Sequence, residues 1–257
     1  MAGAAFLALA GQAHAQESAA ELARKLANPV ANLISVPLQN NYDCCYGPSK
    51  LSRYTLNIQP VVPLSLNEDW NLIVRTILPI IYQEGSAPGA ASEGGLGDTV
   101  QSFFVSPQAS KRGVTWAAGP VFLYPTGEAA FSAETWGAGP SVLLLKQSGD
   151  TTAGLLANHI WSFAGEETRP DVSASLFQPF YTYTRRSSTA FSISSEATYD
   201  WRSDQWVVPV IAGVSHVYKF GQQRVQLGVL GKVYLESPHD GPDWGVRFNA
   251  VFLFPKR

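Results

Sequence analysis

The stretch that most limits what this chain can fold into is its end, residues 244–254, Trp-Gly-Val-Arg-Phe-Asn-Ala-Val-Phe-Leu-Phe. Every second residue from Trp244 reads Trp244, Val246, Phe248, Ala250, Phe252 and Phe254, against Gly245, Arg247, Asn249, Val251 and Leu253 between them. A strand sends successive side chains to opposite faces, so one face is apolar and aromatic and the other carries a full charge. Aromatics near both ends of an apolar face suit a membrane-spanning strand, whose rings settle at the boundary between water and lipid.

Composition agrees with that reading. Only 15% of the 257 residues are charged and 12% are aromatic, so little of the surface can be ionic. No run approaches the ~18 apolar residues of a spanning helix. Low charge without a spanning helix points to a β-barrel. The formal charge of -2 gives no reason to expect nucleic acid as a partner.

Residues 1–15 read as an export signal, with an apolar core over 4–10 and Ala13-His14-Ala15 as the cleavage pattern, although no Lys or Arg precedes the core. Residues 16–30 form an N-terminal helical segment, and 31–257 the barrel. The helix is stopped by Asn28-Pro29, and Leu22 and Leu26 share one face of it. It is expected at the periplasmic rim or in the lumen. Cys44 and Cys45 are adjacent; an exported chain meets an oxidising compartment, which allows a strained vicinal or an intermolecular disulfide. Two loop thiols without function are expected instead, and no metal or cofactor.

Twelve strands are expected, over 32–42, 53–66, 70–83, 98–107, 113–124, 133–146, 150–163, 171–184, 190–202, 205–220, 222–236 and 243–254. Several reach the ~9–11 residues or more that a tilted membrane strand needs. Alternation is clean in the second, ninth and eleventh and weaker in the fourth, sixth and eighth. The predicted fold class is all-β, a closed antiparallel transmembrane barrel with a short N-terminal helix. A lipocalin-like soluble barrel also alternates, but its wet exterior should carry more Lys and Glu. With the N-terminus periplasmic, short turns gather on one side and most long loops on the other. An even strand count also returns the C-terminus to the periplasm. The last strand is the expected contact for the barrel-insertion machinery, and outer-membrane lipid the expected surroundings.

Residues 115–123 and 135–143 repeat each other and read as one hairpin of similar halves. Pro63, Pro79, Pro120, Pro140, Pro179 and Pro209 fall inside strands. Each lacks a ladder donor and is expected to mark a bulge or kink. The aromatic girdle is expected from Tyr54, Trp70, Tyr82, Trp116, Trp161 and Tyr199, continued by Trp201, Trp206, Trp244, Phe252 and Phe254.

Parity turns Arg53, Arg75, Lys219, Lys232, Arg247, Glu196, Asp200, Arg202 and Glu236 inward, where charges excluded from lipid must lie. Closing each hairpin at its shortest loop sets Glu196 near Ile211, Ile211 opposite Lys232, and Lys232 opposite Arg247. Like charges facing each other need an anion. Glu196 is therefore expected to meet Lys232 and Arg247 across the lumen, within the ~8 Å reach of a strong pair. With Arg75 and Asp200, these residues are the expected lumen and constriction set. Twelve strands fall between filled eight-stranded barrels and open porins, so a narrow pore of mixed sign is expected.

His159 and His216 fall on the lipid face. A surface hydrolase needs a serine beside one of them on that face. The candidates two residues along are Trp161 and Tyr218, while Ser162 and Ser215 point inward, which leaves only a serine on an adjacent strand. No catalytic residue is expected.

The runs 33–42 (Leu-Ile-Ser-Val-Pro-Leu-Gln-Asn-Asn-Tyr), 54–63 and 67–79 resemble a bacterial family of outer-membrane proteins grouped under the meta-pathway of phenol degradation and labelled as transporters. Residues 97–104, 116–125, 158–162 and the closing strand resemble it too. The resemblance implies an outer-membrane barrel that passes small organic or aromatic compounds, and it carries no catalytic residues. The expected function is thus a channel for small organic solutes. A structural or adhesive barrel using the 84–97 loop is the alternative, and a lipid hydrolase the third.

Overall fold

A computed structural model describes residues 18–85 and 91–254. The expected signal segment lies outside the described residues. So does the middle of the 84–97 loop.

The chain forms a closed antiparallel barrel of twelve staves with one short helix. In order they are β1 (Ile34–Tyr46), β2 (Leu51–Ile58) with β3 (Val61–Ser65), β4 (Trp70–Gln83), β5 (Glu93–Leu96) with β6 (Thr99–Pro107), β7 (Val114–Tyr124) and β8 (Thr135–Ser148). There follow β9 (Thr151–Gly165), β10 (Ser173–Thr184), β11 (Thr189–Ser195) with β12 (Ala197–Asp200), β13 (Gln205–Phe220), β14 (Gln223–Glu236) and β15 (Trp244–Phe254). Each stave pairs with the next, and β15 closes on β1 from Ile34↔Phe254 to Cys44↔Trp244. Closure leaves no unpaired edge.

The sheet is apolar on its outer face. Leu144, Leu155, Trp161, Phe163, Val229 and Phe248 are large side chains left exposed there. The inner face is divided. On β4 and β6–β9 its middle is apolar, with Ile73, Phe104, Ala117, Leu143, Leu145 and Leu156 packed around Val30, set between polar inward positions such as Asn71, Ser102, Ser106, Thr115, Ser141 and Thr152. That explains the weak alternation of the fourth and sixth segments, because Phe104-Val105 in the one and Leu143-Leu144-Leu145 in the other are apolar on both faces. The expectation of a polar interior holds around β1 and β15 and only in part on this half. Along β1 the inward positions are Ser35, Pro37, Gln39, Asn41 and Asp43, a polar descent through the lumen.

The helix α1 (Ala19–Leu26) lies inside the barrel at the rim that holds both ends of the sheet. Ser18 caps it in a reciprocal box with Glu21, satisfying two free donors of the first turn. The Ser18 backbone N–H and hydroxyl hold the Glu21 carboxyl below its ordinary range. Leu22 is fully buried against Val217, Val251 and Leu253, a burial that contributes about 1.5–3 kcal/mol. The expected choice between rim and lumen thus resolves to the lumen. Arg24 binds Asp150 at 2.5 Å in the β8–β9 turn, and Gln147 Nε2 donates to the Arg24 carbonyl at 3.1 Å. Both charged side chains are about one-third exposed. Their coupling in a double-mutant cycle of Arg24→Ala and Asp150→Ala is therefore expected to stay below about 1 kcal/mol, read from urea unfolding midpoints.

Prolines break the ladder in two ways. At Pro79 and Pro209 the register shifts: Ile77↔Val100 and Ile80↔Leu96 differ by one residue, and a bulge sits between Val208 and Pro209. Pro120 faces Pro140 in the β7–β8 hairpin with the register kept, so these two remove rungs without bulging. Gly119 and Gly139 precede them, and a side chain at either would meet a neighbouring carbonyl oxygen at 1.8 and 1.7 Å. Pro63 stays in register with Ile73, and Pro179 with Leu155. The expectation of a bulge or kink at every proline is corrected accordingly.

Candidate functional site: a charged cluster in the lumen

The charges expected in the lumen gather on β1, β14 and β15 and at the break between β11 and β12. Glu196 occupies that break, with Pro179 and Pro209 on the two flanking staves, neither of which has an N–H to give. Its carboxylate takes a two-point bond from Arg247, Nη1 to Oε1 at 2.7 Å and Nη2 to Oε2 at 2.8 Å. Such forked pairs fix orientation as well as charge. Arg247 Nε donates to Asn41 Oδ1 at 2.6 Å. The Arg247 side chain is 7% exposed and that of Glu196 30%.

Lys232 takes a different partner from the one expected. Its Nζ lies 2.6 Å from Asp43 Oδ1, with both side chains buried, and Tyr234 donates its hydroxyl to the same oxygen at 2.9 Å. Asp43 is the residue that sequence reasoning missed. The first strand was expected to end at 42, whereas β1 continues to Tyr46, and the alternation Gln39, Asn41, Asp43 would have pointed to it. Gly245 makes the contact across β15 feasible. It stands between Lys232 and Asp43 on one rung, and a Cβ there would meet Asp43 Oδ1 at 2.3 Å.

Two expected registers are corrected. Glu196 adjoins neither Ile211 nor its rung: Ser194 faces Ile211, because a four-residue turn, Trp201 to Asp204, replaces the assumed two-residue one. The favoured two-residue hairpin turns all want positive φ at the first central residue, and of Ser203 and Asp204 only the second adopts it. Ile211 does face Lys232, but Lys232 faces Gly245 and Arg247 faces Leu230. The offset separates two cations that would otherwise be opposed.

Arg75 lines the lumen one level below. Its Nη2 donates to Gln59 Oε1 at 3.1 Å, and Gln59 Nε2 donates to Gln39 Oε1 at 2.8 Å. Asp200 does not join the cluster; its carboxylate caps the exposed turn through Arg202 N and Ser203 Oγ, both at 2.8 Å. Arg202 pairs with Asp171 in the loops, and Arg53 bonds Gln83. Lys219 and Glu236 are exposed near opposite rims. Cys44 and Cys45 are joined to each other, with Cys45 in the left-handed region as the extra residue of a bulge between β1 and β2. This replaces the expectation of two loop thiols. Over the loop rim, Arg169 bonds Glu134 and holds its carboxyl below the ordinary range.

The outward aromatics fall at two levels. Tyr54, Tyr82, Trp161, Tyr199, Trp201, Trp206 and Trp244 stand toward the loop rim. Trp70, Trp116, Phe252 and Phe254 stand toward the rim with the chain ends, where Trp70 and Trp116 meet edge-on at 5.8 Å. Between the indoles of the first level, His159 Nδ1 lies 2.7 Å from Ser175 Oγ on the adjacent stave, and Trp201 Nε1 donates to that same oxygen at 2.9 Å. Among the described residues no carboxylate bonds His159, whose Nε2 lies 3.5 Å from Ser173 Oγ. His216 Nδ1 meets Thr189 Oγ1 at 2.9 Å. Among the described residues no cluster of His, Cys, Asp or Glu could hold a metal.

A closed twelve-stave cylinder, apolar outside and charged within, has the architecture of an outer-membrane barrel. Among solved structures, the COG4313 outer membrane channel from Pseudomonas putida F1 aligns over 87% of this chain and 96% of its own, with 13% identity and a TM-score of 0.68. The translocator domain of autotransporter NalP from Neisseria meningitidis aligns over 86% of this chain and 88% of its own, at 10% identity and a TM-score of 0.46. The first likeness establishes the shared fold. No family model matches the chain, and no curated protein matches it in sequence.

Proposed function

We propose that this protein is an outer-membrane channel that passes small organic molecules, aromatic ones among them, through a narrow lumen. The observation that carries the reading is the cross-lumen pair Glu196–Arg247. Two staves that are not neighbours send opposite charges to one point inside a cylinder, which narrows the passage while keeping it polar. Asp43–Lys232 adds a second pair beside it, and α1 occupies the lumen at the other end. In this reading Glu196, Lys232, Arg247 and Arg75 line the constriction, the two aromatic levels form the girdle against lipid, and both chain ends face the periplasm. The likeness in fold to an outer membrane channel supports the channel class, and the sequence resemblance to the phenol meta-pathway group supports the aromatic solutes. The closing strand β15 is the proposed contact for the insertion machinery.

The test is conductance in planar bilayers of the full chain and of a chain lacking residues 16–29. A small conductance that rises severalfold on removal is expected, since α1 fills part of the cross-section. Silence of both with every solute would favour a structural or adhesive barrel instead. A second reading, lipid hydrolysis at the outer surface, has the 2.7 Å contact between His159 and Ser175 in its favour. Release of fatty acid from phospholipid by the purified protein, abolished by Ser175→Ala, would establish it.

A further inference from the structure

Below the Glu196–Arg247 pair the lumen holds a cavity of about 260 Å³, floored by the segment from Leu26 to Leu33. Its walls are of two kinds. Leu156 and Phe180 supply an apolar side; Arg75, Gln39, Gln59 and Asn249 supply a polar one. Two cations line it: Lys25 at the floor, which is engaged with a partner of its own, and Arg75, which is the unusual one. Glu196 commits both oxygens to Arg247, and Asp43 is taken by Lys232 and Tyr234. Among the described residues no carboxylate lies within ion-pair distance of Arg75, which donates instead to the neutral oxygen of Gln59. A guanidinium has five donors in a fixed fork, so most of this one's donors remain for something in the cavity. Gln59 is itself held by Gln39, which aims the fork in advance. Asn249 Oδ1, on the same cavity, is buried with no donor. Glu196 acts on Arg75 only through space, and a forked carboxylate in direct contact is the group that best offsets a guanidinium held away from bulk water.

We propose that this cavity binds a small organic anion, its carboxylate on Arg75 and its apolar body against Leu156 and Phe180. The volume of about 260 Å³ lies just below the ~300–1,000 Å³ of small-molecule sites, so a ligand of about one ring fits. The proposal deepens the channel reading, since it rests on solutes reaching the lumen, and it names their class.

Calorimetric titration of the purified full chain in detergent with sodium benzoate tests it, with benzamide as a neutral body of the same shape and inorganic phosphate as an anion without a body. Benzoate is expected to bind saturably and more tightly than either. Arg75→Met is expected to weaken benzoate by at least about tenfold, the worth of one charge-assisted bond, and to leave benzamide unchanged. Arg75→Lys keeps the charge without the fork and should fall between. Heat-modifiable mobility on gels reports folding. If Arg75→Met does not fold, the loss on Arg75→Lys carries the test, and no loss there overturns the site. Benzamide or phosphate binding as tightly as benzoate would overturn it as well. A barrel that conducts yet ignores benzoate removes the site and leaves the channel. One that binds benzoate through Arg75 but is silent in bilayers removes the channel and leaves the site.

Discussion

Glu196→Gln is expected to destabilise the barrel by about 3 kcal/mol and to move the pore toward anion selectivity. Removing one partner of a buried pair leaves the other charge uncompensated, at a cost of about 3–5 kcal/mol. The lower end applies because Glu196 keeps 30% of its side-chain surface. Arg247 has nowhere else to turn: it is 7% exposed and its remaining bond goes to the neutral Asn41. The second effect follows from charge. Around this pair Arg75, Lys232 and Arg247 oppose only Glu196 and Asp43, so losing one carboxylate leaves three cations to one anion. Urea unfolding in detergent reads the first effect, and the reversal potential under a KCl gradient reads the second. If neither moves, the pair does not guard the pore.

A substitution with no charge change should do comparable damage. Gly245→Val places a branched side chain where a Cβ alone would stand 2.3 Å from Asp43 Oδ1 and 2.6 Å from the Tyr42 carbonyl oxygen. The backbone oxygen cannot rotate away, so β15 and β1 must separate or Asp43 must leave Lys232. Either route strands a buried lysine and removes the acceptor of the Tyr234 hydroxyl. A loss of about 3–5 kcal/mol is expected, by the same argument as for a broken buried pair. The control is on the next stave: Gly231→Ala meets nothing within 4 Å and should stay within about 0.5 kcal/mol of the parent. Equal unfolding midpoints for the two variants would mean that the rung at Gly245 tolerates a side chain and that Asp43–Lys232 is not held by it.

Much of this was legible beforehand because a strand has only two faces. Once Trp244, Phe248 and Phe252 are read as one face, Arg247 must be on the other. The same parity turned Glu196, Lys232 and Arg75 inward without knowledge of any partner. Stave number followed as well, since turns and apolar alternation are both local. The even split of β8 between Leu143, Leu144 and Leu145 was not legible, because nothing local says that Val30 will lie against the inner leucines. The role of α1 was open for the same reason. Leu22 and Leu26 define a face, but the surface that receives it is made by β13 and β15.

The amino-acid sequence by itself determined which residues face outward and which face the enclosed interior, because that depends only on a two-residue period and on the cost of placing charge in lipid. Which of the inward charges meet was decided by the tertiary structure alone. A four-residue turn at Trp201–Asp204, a bulge at Pro209 and closure of β15 on β1 set the relative heights of the staves. Those heights gave Lys232 to Asp43 and Arg247 to Glu196. Pairing across a lumen depends on the shear of the whole cylinder, and no single segment carries that quantity.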